Sequence, residues 1–243
     1  MREKESLVEA ESLKDLEKII RKSEEWNSNF VVIGGYAVRA YTKGYRYTKY
    51  IDLAAPRCEK GKLTALLKGS GYKVEETEFG LKGRKKIDGG FIDFHISIGE
   101  IWDISTNIRY PVDELGKSEF REISGYFEEG RKMKIRAPVV SLEDLIILKL
   151  ITRGRERDLV DAISLITDRW GDLDLKRLAS KCLKTSLNKH MRKQVLTLIG
   201  ATRTGEARKM WLSVTGQRLM RKTEMELIKK LKGIYKELQA SFF

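Results

Sequence analysis

A chain of 243 residues with a net charge of +13 is long enough for one domain with an appendage or for two small domains. Its only cysteines, Cys58 and Cys182, are too few and too far apart for a disulfide framework, and two histidines leave carboxylates as the expected ligands of any metal. No stretch approaches the ~18 consecutive apolar residues of a membrane span, and the charged N-terminus lacks the apolar core of a signal peptide. We therefore expect no membrane partner and a reduced, cytoplasmic setting.

The first part of the chain alternates helical and strand patterns. Apolar spacing predicts an amphipathic helix first, and a short β-branched run that ends at Gly34 predicts a buried strand. Three alternating segments then predict an antiparallel meander with turns at Gly80 and at Asp88 to Gly90. In chain order the predicted elements are a helix at 5–26, a strand at 30–33, a helix at 36–43, a strand at 49–54, a helix at 59–69 and strands at 72–79, 81–87 and 90–97.

The second part is predominantly helical. Residues 98–140 predict a loop with one or two strands, 132–136 being one candidate. Ser141 suits the N-cap of a helix at 142–152, a second helix runs from about 157 to 167, and several helices broken at glycines 200, 205 and 216 follow. A boundary at 170–172 predicts an α/β (α+β) domain over 1–170 and a basic helical domain over 171–243.

The basic charge is concentrated in the last third of the sequence. From Gly171 to Phe243 the chain has 17 Lys and Arg against six Asp and Glu. Basic side chains gain free energy when they displace the counterions condensed on a polyanion, so this asymmetry favours a nucleic-acid partner. A lysine-rich helical surface that confers only solubility is the alternative.

The first motif joins the end of a strand to a later carboxylate. Gly34 and Gly35 lack a Cβ, so their backbone can approach a phosphate closely at the N-terminus of the following helix. Asp52 lies between apolar residues in a predicted strand, where an ionised carboxylate is costly unless it is paired or holds a metal. A purely structural tight turn and an edge-strand carboxylate that faces water are the alternatives.

Two further motifs contain acidic residues. In the strand near 91–97, alternation places Asp93, His95 and Ser97 on one face and Ile92, Phe94 and Ile96 on the other. In the segment 141–166, Lys149 lies at the edge of an apolar helical stripe, and the next helix begins with Asp158 and Asp161. Carboxylates are favoured in a first helical turn, so an Arg–Asp network that locks two helices together is the alternative to a role at a site.

The order and spacing of these motifs resemble the nucleotidyltransferase superfamily, and within it the AbiEii/AbiGii-type toxin family. The family's first pattern is Gly-Gly-x-Ala-hydrophobic followed by Arg-x-Thr-x-Asp-Ile-Asp-Leu; it is matched at Gly34, Gly35, Ala37, Val38, Arg46, Thr48, Ile51, Asp52 and Leu53. Its later pattern, Lys-Leu and then Arg-x-Arg-Asp-x-x-Asp, is matched at Lys149, Leu150, Arg155, Arg157, Asp158 and Asp161. The resemblance spans about residues 28–168.

This resemblance implies a nucleotidyltransferase-type mixed sheet with flanking helices, an NTP substrate and Mg²⁺ or Mn²⁺. The metal would be held by Asp52 and Asp93. The residues expected to bind the nucleotide are Gly34, Gly35, Arg46, Thr48 and Lys149, and those expected to act in catalysis are Asp52, Asp93, Lys149 and Asp158. Related toxins imply an RNA acceptor, and the 3′ end of tRNA is one candidate. The basic helices at 176–236 are compatible with such an acceptor. Related toxins also imply an antitoxin-like protein partner.

One position departs from the family pattern. Where the family has the first Asp of its Asp-x-Asp pair, this chain has Tyr50, and positions 50 and 52 of a strand point to the same face. A phenol whose ordinary pKa is about 10 is a poor magnesium ligand at neutral pH. The alternative function is therefore a catalytically degenerate nucleotidyltransferase-fold protein that binds nucleic acid or a partner protein.

Overall fold

A computed structural model of the chain describes residues 3–44, 47–116, 118–126, 132–152 and 155–240. The described residues form nine α-helices: α1 Glu3–Glu25, α2 Gly34–Tyr41, α3 Lys60–Lys68, α4 Leu142–Ile151, α5 Glu156–Asp168, α6 Leu175–Lys184, α7 Asn188–Thr204, α8 Glu206–Thr215 and α9 Arg221–Ala240. They also form nine strands: β1 Val31–Ile33, β2 Tyr50–Ala55, β3 Lys73–Thr77, β4 Gly80–Ile87, β5 Gly90–Ile98, β6 Glu100–Asp103, β7 Ile108–Pro111, β8 Glu119–Tyr126 and β9 Lys132–Val139.

The chain divides into two compact units. The first comprises Met1–Ala40, Tyr45–Trp102 and Pro111–Ser141, and the second comprises Tyr41–Gly44, Asp103–Tyr110 and Leu142–Phe243. The second unit contains all of 171–243 and also α4 and α5, which the sequence prediction grouped with the first domain. That division into 1–170 and 171–243 concerns functional domains and stays a prediction.

A mixed seven-stranded sheet is the centre of the first unit. Its strand order is β3-β4-β5-β2-β1-β9-β8. The pairs β2–β5 and β1–β9 are parallel, and the remaining neighbours are antiparallel. The predicted meander of β3, β4 and β5 is confirmed, because each of these strands pairs antiparallel with the next.

Alternation along the central strands separates an apolar face from a polar face. On β5, Ile92, Phe94 and Ile96 are buried, as the sequence predicted, and helix α1 packs against this strand and against β8 and β9. Tyr72 closes the same core: its ring meets Phe94 edge to face, and its hydroxyl donates a hydrogen bond to Asp15 of α1. The opposite face therefore carries the polar side chains of β2 and β5.

The segment 98–140 contains more strand than the sequence predicted. Besides β9, which includes the predicted 132–136, it holds the short strands β6 and β7 and the eight-residue strand β8. The last of these lies at the edge of the sheet, where Phe120 is exposed and Ile123 is buried. An edge strand needs few apolar residues, so its hydrophobic signal is weak.

The second unit is a helical assembly around α4. Every residue of α4 is buried, and α5, α6 and α7 pack against it. The predicted breaks at Gly205 and Gly216 are confirmed, because both residues adopt left-handed backbone between helices. The predicted break at Gly200 is wrong: α7 continues through it because buried neighbours such as Leu198 and Ile199 anchor the helix, which offsets the modest cost of a helical glycine.

Among the described residues, no helix combines the length and the apolar character needed to cross a membrane.

Candidate functional site

The first site feature is the corner where β1 ends against β2. Gly34 follows β1, begins α2 and has a φ of +66°, a backbone conformation that L side chains rarely adopt. A Cβ at Gly34 would lie 2.2 Å from Oδ2 of Asp52, because Ile33 is the register partner of Asp52. The missing side chain thus leaves room for the Asp52 carboxylate beside the N-terminus of α2. We call this pair the Gly34–Asp52 corner.

Register brings two more predicted residues to the polar face of the sheet. In the parallel pair of β2 and β5, Asp52 lies opposite His95 and Tyr50 lies opposite Asp93. Nδ1 of His95 is 3.4 Å from Oδ1 of Asp52, and the His95 ring stacks on the Tyr50 ring with centroids 4.7 Å apart. Tyr50 therefore occupies the surface beside Asp52 with an aromatic stack rather than with a second carboxylate.

Asp93 is paired with a cation that the sequence analysis did not identify. Arg84 of β4 is its register partner; Nε donates to Oδ1 at 2.6 Å and the guanidinium also donates to Oδ2 at 3.1 Å. The side chain of Asp93 is 1% exposed. The hydrogen bond to Asp93 and the charge of Asp93 raise the pKa of the Arg84 guanidinium. Both Asp93 oxygens are therefore already engaged.

The sequence contains a signal for this ion pair. The turn at Asp88 and Gly89 is a two-residue hairpin connection, and it makes Ile87 the partner of Gly90. Counting back from that turn places Arg84 opposite Asp93. Arg84 belongs to none of the motifs and lies in a basic stretch of β4, so the motifs alone do not reveal it.

The donor set fits one divalent cation better than two. Mg²⁺ in nucleotide sites is commonly held by one or two carboxylates together with the phosphates of the substrate. Asp52, whose side chain is 31% exposed, suits one ion that arrives with a triphosphate. Asp93 suits a second position only if Arg84 leaves it. Within the part of the chain that the structure describes, no group of three or more His, Cys, Asp or Glu side chains is arranged to hold a metal.

Lys149 and Asp158, the predicted site residues of the second unit, lie together in a buried cluster. Nζ of Lys149 is 2.7 Å from Oδ1 of Asp158 and 3.0 Å from Oδ2 of Asp161. Burial disfavours the ammonium, but the charges of Asp161 and Asp158 outweigh that effect and raise the pKa of Lys149. This Lys149 cluster joins α4 to α5 through a lysine, whereas the alternative left by the sequence was an Arg–Asp network. A phosphate contact would require the ammonium to exchange a partner.

The remaining predicted nucleotide-binding residues are Gly35, Thr48 and Arg46. Gly35 is buried in the first turn of α2, and Thr48 is half-buried in the segment that leads into β2. Arg46 lies outside the described residues. The roles of all these residues stay predictions.

Comparisons with known proteins agree with this architecture. The family model described as nucleotidyl transferase AbiEii toxin, type IV TA system, matches residues 19–232. A comparison with curated protein sequences finds no significant match.

Similar solved structures include a candidate nucleotidyltransferase from H. pylori, at 16% identity and a TM-score of 0.51, covering 95% of this chain and 96% of that chain. They also include JHP933 from Helicobacter pylori, at 18% identity and a TM-score of 0.49, covering 95% and 94%. The antibiotic-resistance factor ANT(2'')-Ia matches at 18% identity and a TM-score of 0.42, covering 68% and 85%.

The first of these similarities supports the fold, and the predicted nucleotidyltransferase-type sheet is thereby confirmed. Because the family model covers most of the sequence, the chain belongs to the nucleotidyl transferase AbiEii toxin family of type IV toxin–antitoxin systems.

Proposed function

We propose that this chain binds an NTP at the Gly34–Asp52 corner and transfers its nucleotide to an acceptor. The observation that carries the proposal is the fit at Gly34, where any side chain would overlap the Asp52 carboxylate. A glycine that serves only a turn has no need to leave room for a carboxylate. The corner brings a carboxylate to the start of a helix, where free amide groups and the helix dipole favour a phosphate.

Each residue of the corner has a distinct role in this proposal. The backbone at Gly34 and Gly35 holds the phosphates, and Asp52 faces the divalent cation that accompanies the triphosphate. That cation, Mg²⁺ or Mn²⁺, would neutralise the charge that develops on the phosphates during transfer. His95 lies beside Asp52 and limits the directions in which the carboxylate can turn. Asp93 contributes through its ion pair with Arg84, which keeps one negative and one positive charge at fixed positions on β5 and β4.

RNA is the proposed acceptor, with the 3′ end of tRNA as one candidate. The proposal is supported by the excess of basic residues in the helices of the second unit, between residues 176 and 236. Membership in a toxin–antitoxin family supports an antitoxin as a further partner.

A second candidate function is favoured by one specific observation. Tyr50 stands where the family has a carboxylate, and its stack on His95 covers part of the same surface. With Asp93 held by Arg84, Asp52 is the only carboxylate of the expected set that is not in an ion pair with an arginine or lysine among the described residues. A degenerate protein that binds nucleotide or RNA without transfer is consistent with that arrangement.

Transfer of label from an NTP to RNA tests the proposal. Each of the four α-labelled NTPs is incubated with Mg²⁺ or Mn²⁺, total tRNA and either the native chain or Asp52→Ala. We expect label in RNA with the native chain and a loss on the order of 10²–10³-fold with Asp52→Ala, because the cation loses its protein ligand. Exposed Asp113, in the short 3₁₀ helix Val112–Glu114 of the first unit, supplies the control Asp113→Ala, which should transfer normally. Equal transfer by native chain and Asp52→Ala would remove Asp52 from the mechanism.

A further inference from the structure

A broad concave surface in the second unit is lined by four arginines. It lies among the end of α7, the helix α8 and the start of α9, and it encloses about 790 Å³. Arg203, Arg208, Arg218 and Arg221 contribute the charge, and Met225 and Ile228 contribute apolar surface. We call it the arginine pocket.

The charge of this pocket is largely uncompensated. Arg208 is held by Glu224, to which it donates two hydrogen bonds. Arg203, Arg218 and Arg221 are exposed and make no ion pair within the described part of the chain. Like charges gathered on one concave surface repel each other, and an anionic ligand relieves that repulsion. Guanidinium groups match phosphate oxygens in paired hydrogen bonds, so phosphate is the anion that this set suits best.

The local backbone gives the pocket a defined shape. Gly216 ends α8 in a left-handed conformation, and buried Leu219 anchors the connection between α8 and α9. The hydrogen bond from the Glu224 amide to the Met220 carbonyl marks the first turn of α9. Amide groups of a first helical turn have no acceptor within the helix, and they add to the attraction for a phosphate beside Arg221.

Apolar side chains beside these arginines point to more than a bare phosphate. Met220 and Met225 are 68% and 59% exposed, which is unusual for methionine in a helical unit. Methionine is flexible and polarizable, so it can pack against the flat faces of bases. A polynucleotide offers phosphates spaced along a backbone with bases beside them, and bases are accessible in this way when the strand is unpaired.

We propose that the arginine pocket binds the phosphodiester backbone of single-stranded RNA, with the two methionines against its bases. The assignment rests on the proposed function in taking RNA as the acceptor, but the binding itself requires no transfer. It localises the interaction to the connection between α8 and α9 instead of spreading it over the basic helices.

The test compares two variants that lose the same charge. In the pocket variant Arg203, Arg218 and Arg221 are changed to Ala; in the control, the exposed lysines Lys229, Lys232 and Lys236 of α9, outside the pocket, are changed to Ala. Affinity for a fluorescent single-stranded RNA of about ten nucleotides is measured by anisotropy at several salt concentrations. We expect the pocket variant to lose at least tenfold in affinity. The slope of its plot of log affinity against log salt should become shallower by about two, because each of the three lost phosphate contacts contributes roughly 0.7. The control should lose less than threefold.

Additional measurements distinguish single-stranded RNA from other sources of phosphate, and the pocket proposal from the transfer proposal. Equal losses in the two variants would overturn the pocket in favour of diffuse charge, as would no loss in either. Preference for an RNA duplex of the same sequence, or competition by ATP through the same three arginines, would overturn single-stranded RNA as the ligand. A third variant, Met220→Ala with Met225→Ala, should weaken RNA binding and leave the salt slope unchanged; unchanged affinity would overturn the base contact. All forms are also measured with Asp52→Ala, since the pocket should bind RNA whether or not the transfer proposal holds.

Discussion

Replacing Lys149 by Met is expected to destabilise the chain by about 3–5 kcal/mol, because it leaves buried Asp161 and partly buried Asp158 without their shared cation. The ammonium is nearly inaccessible and contacts an oxygen of each carboxylate, so water cannot replace it without opening the packing of α4 against α5. Urea unfolding followed by circular dichroism measures the change in the free energy of unfolding. A loss below about 1 kcal/mol would show that the Lys149 cluster contributes little to stability.

A compensated variant separates stability from function. Combining Lys149→Met with Asp158→Asn and Asp161→Asn removes all three charges, so most of the lost stability should return. If Lys149 also contacts the nucleotide, as the family resemblance implies, this variant stays inactive in the transfer assay although it is folded. Recovery of both stability and transfer would limit Lys149 to locking the helices together.

Replacing Gly34 by Ala is expected to reduce transfer on the order of 10²-fold, because a misplaced catalytic group costs that much even when the chain folds. The new Cβ would overlap Oδ2 of Asp52, and its own backbone would be strained at a φ of +66°. Backbone strain of this kind costs about 1–2 kcal/mol by itself. The carboxylate must therefore turn away from the corner, or the start of α2 must shift.

Gly71 provides the matched control for Gly34. It also has a left-handed backbone, with a φ of +85°, but no atom lies within 4 Å of the Cβ position. Gly71→Ala should therefore show a similar decrease in stability from strain and no loss of transfer. Differential scanning calorimetry and the labelled-NTP assay on both variants distinguish the two effects. Equal transfer by both variants would mean that the close approach of Gly34 to Asp52 has no functional value.

The sequence predicted most reliably the elements whose apolar residues follow one period. From Ile92 to Ser97, strand β5 alternates apolar and polar residues, and the turn before it is a two-residue hairpin, so the meander and its faces were predictable. The edge strand β8 was not predicted, because partners on one side only and a largely exposed surface leave few apolar residues to mark it. Gly200 gave a wrong prediction for the opposite reason: the packing of its buried neighbours stabilises α7 by more than the small cost of a glycine within a helix.

The candidate site was predictable only where its residues are close in sequence or belong to a motif. The strand end at Gly34 and the strand containing Asp52 were found separately, and their antiparallel register brings them together. The pair of Arg84 and Asp93 depends on the register across a hairpin, and Arg84 belongs to no motif. The arginine pocket depends on how α7, α8 and α9 pack, and composition revealed only that the region is basic.

Comparing label transfer by Tyr50→Asp with transfer by the native chain tests most directly whether Asp52 supports transfer without a second aspartate at position 50. Aspartate at position 50 would share a face with Asp52 and restore the family's pair. We predict measurable transfer by the native chain, on the order of tenfold more by Tyr50→Asp, and a loss on the order of 10²–10³-fold when Asp52→Ala is added to either. A silent native chain beside an active Tyr50→Asp would contradict the account and establish a degenerate transferase.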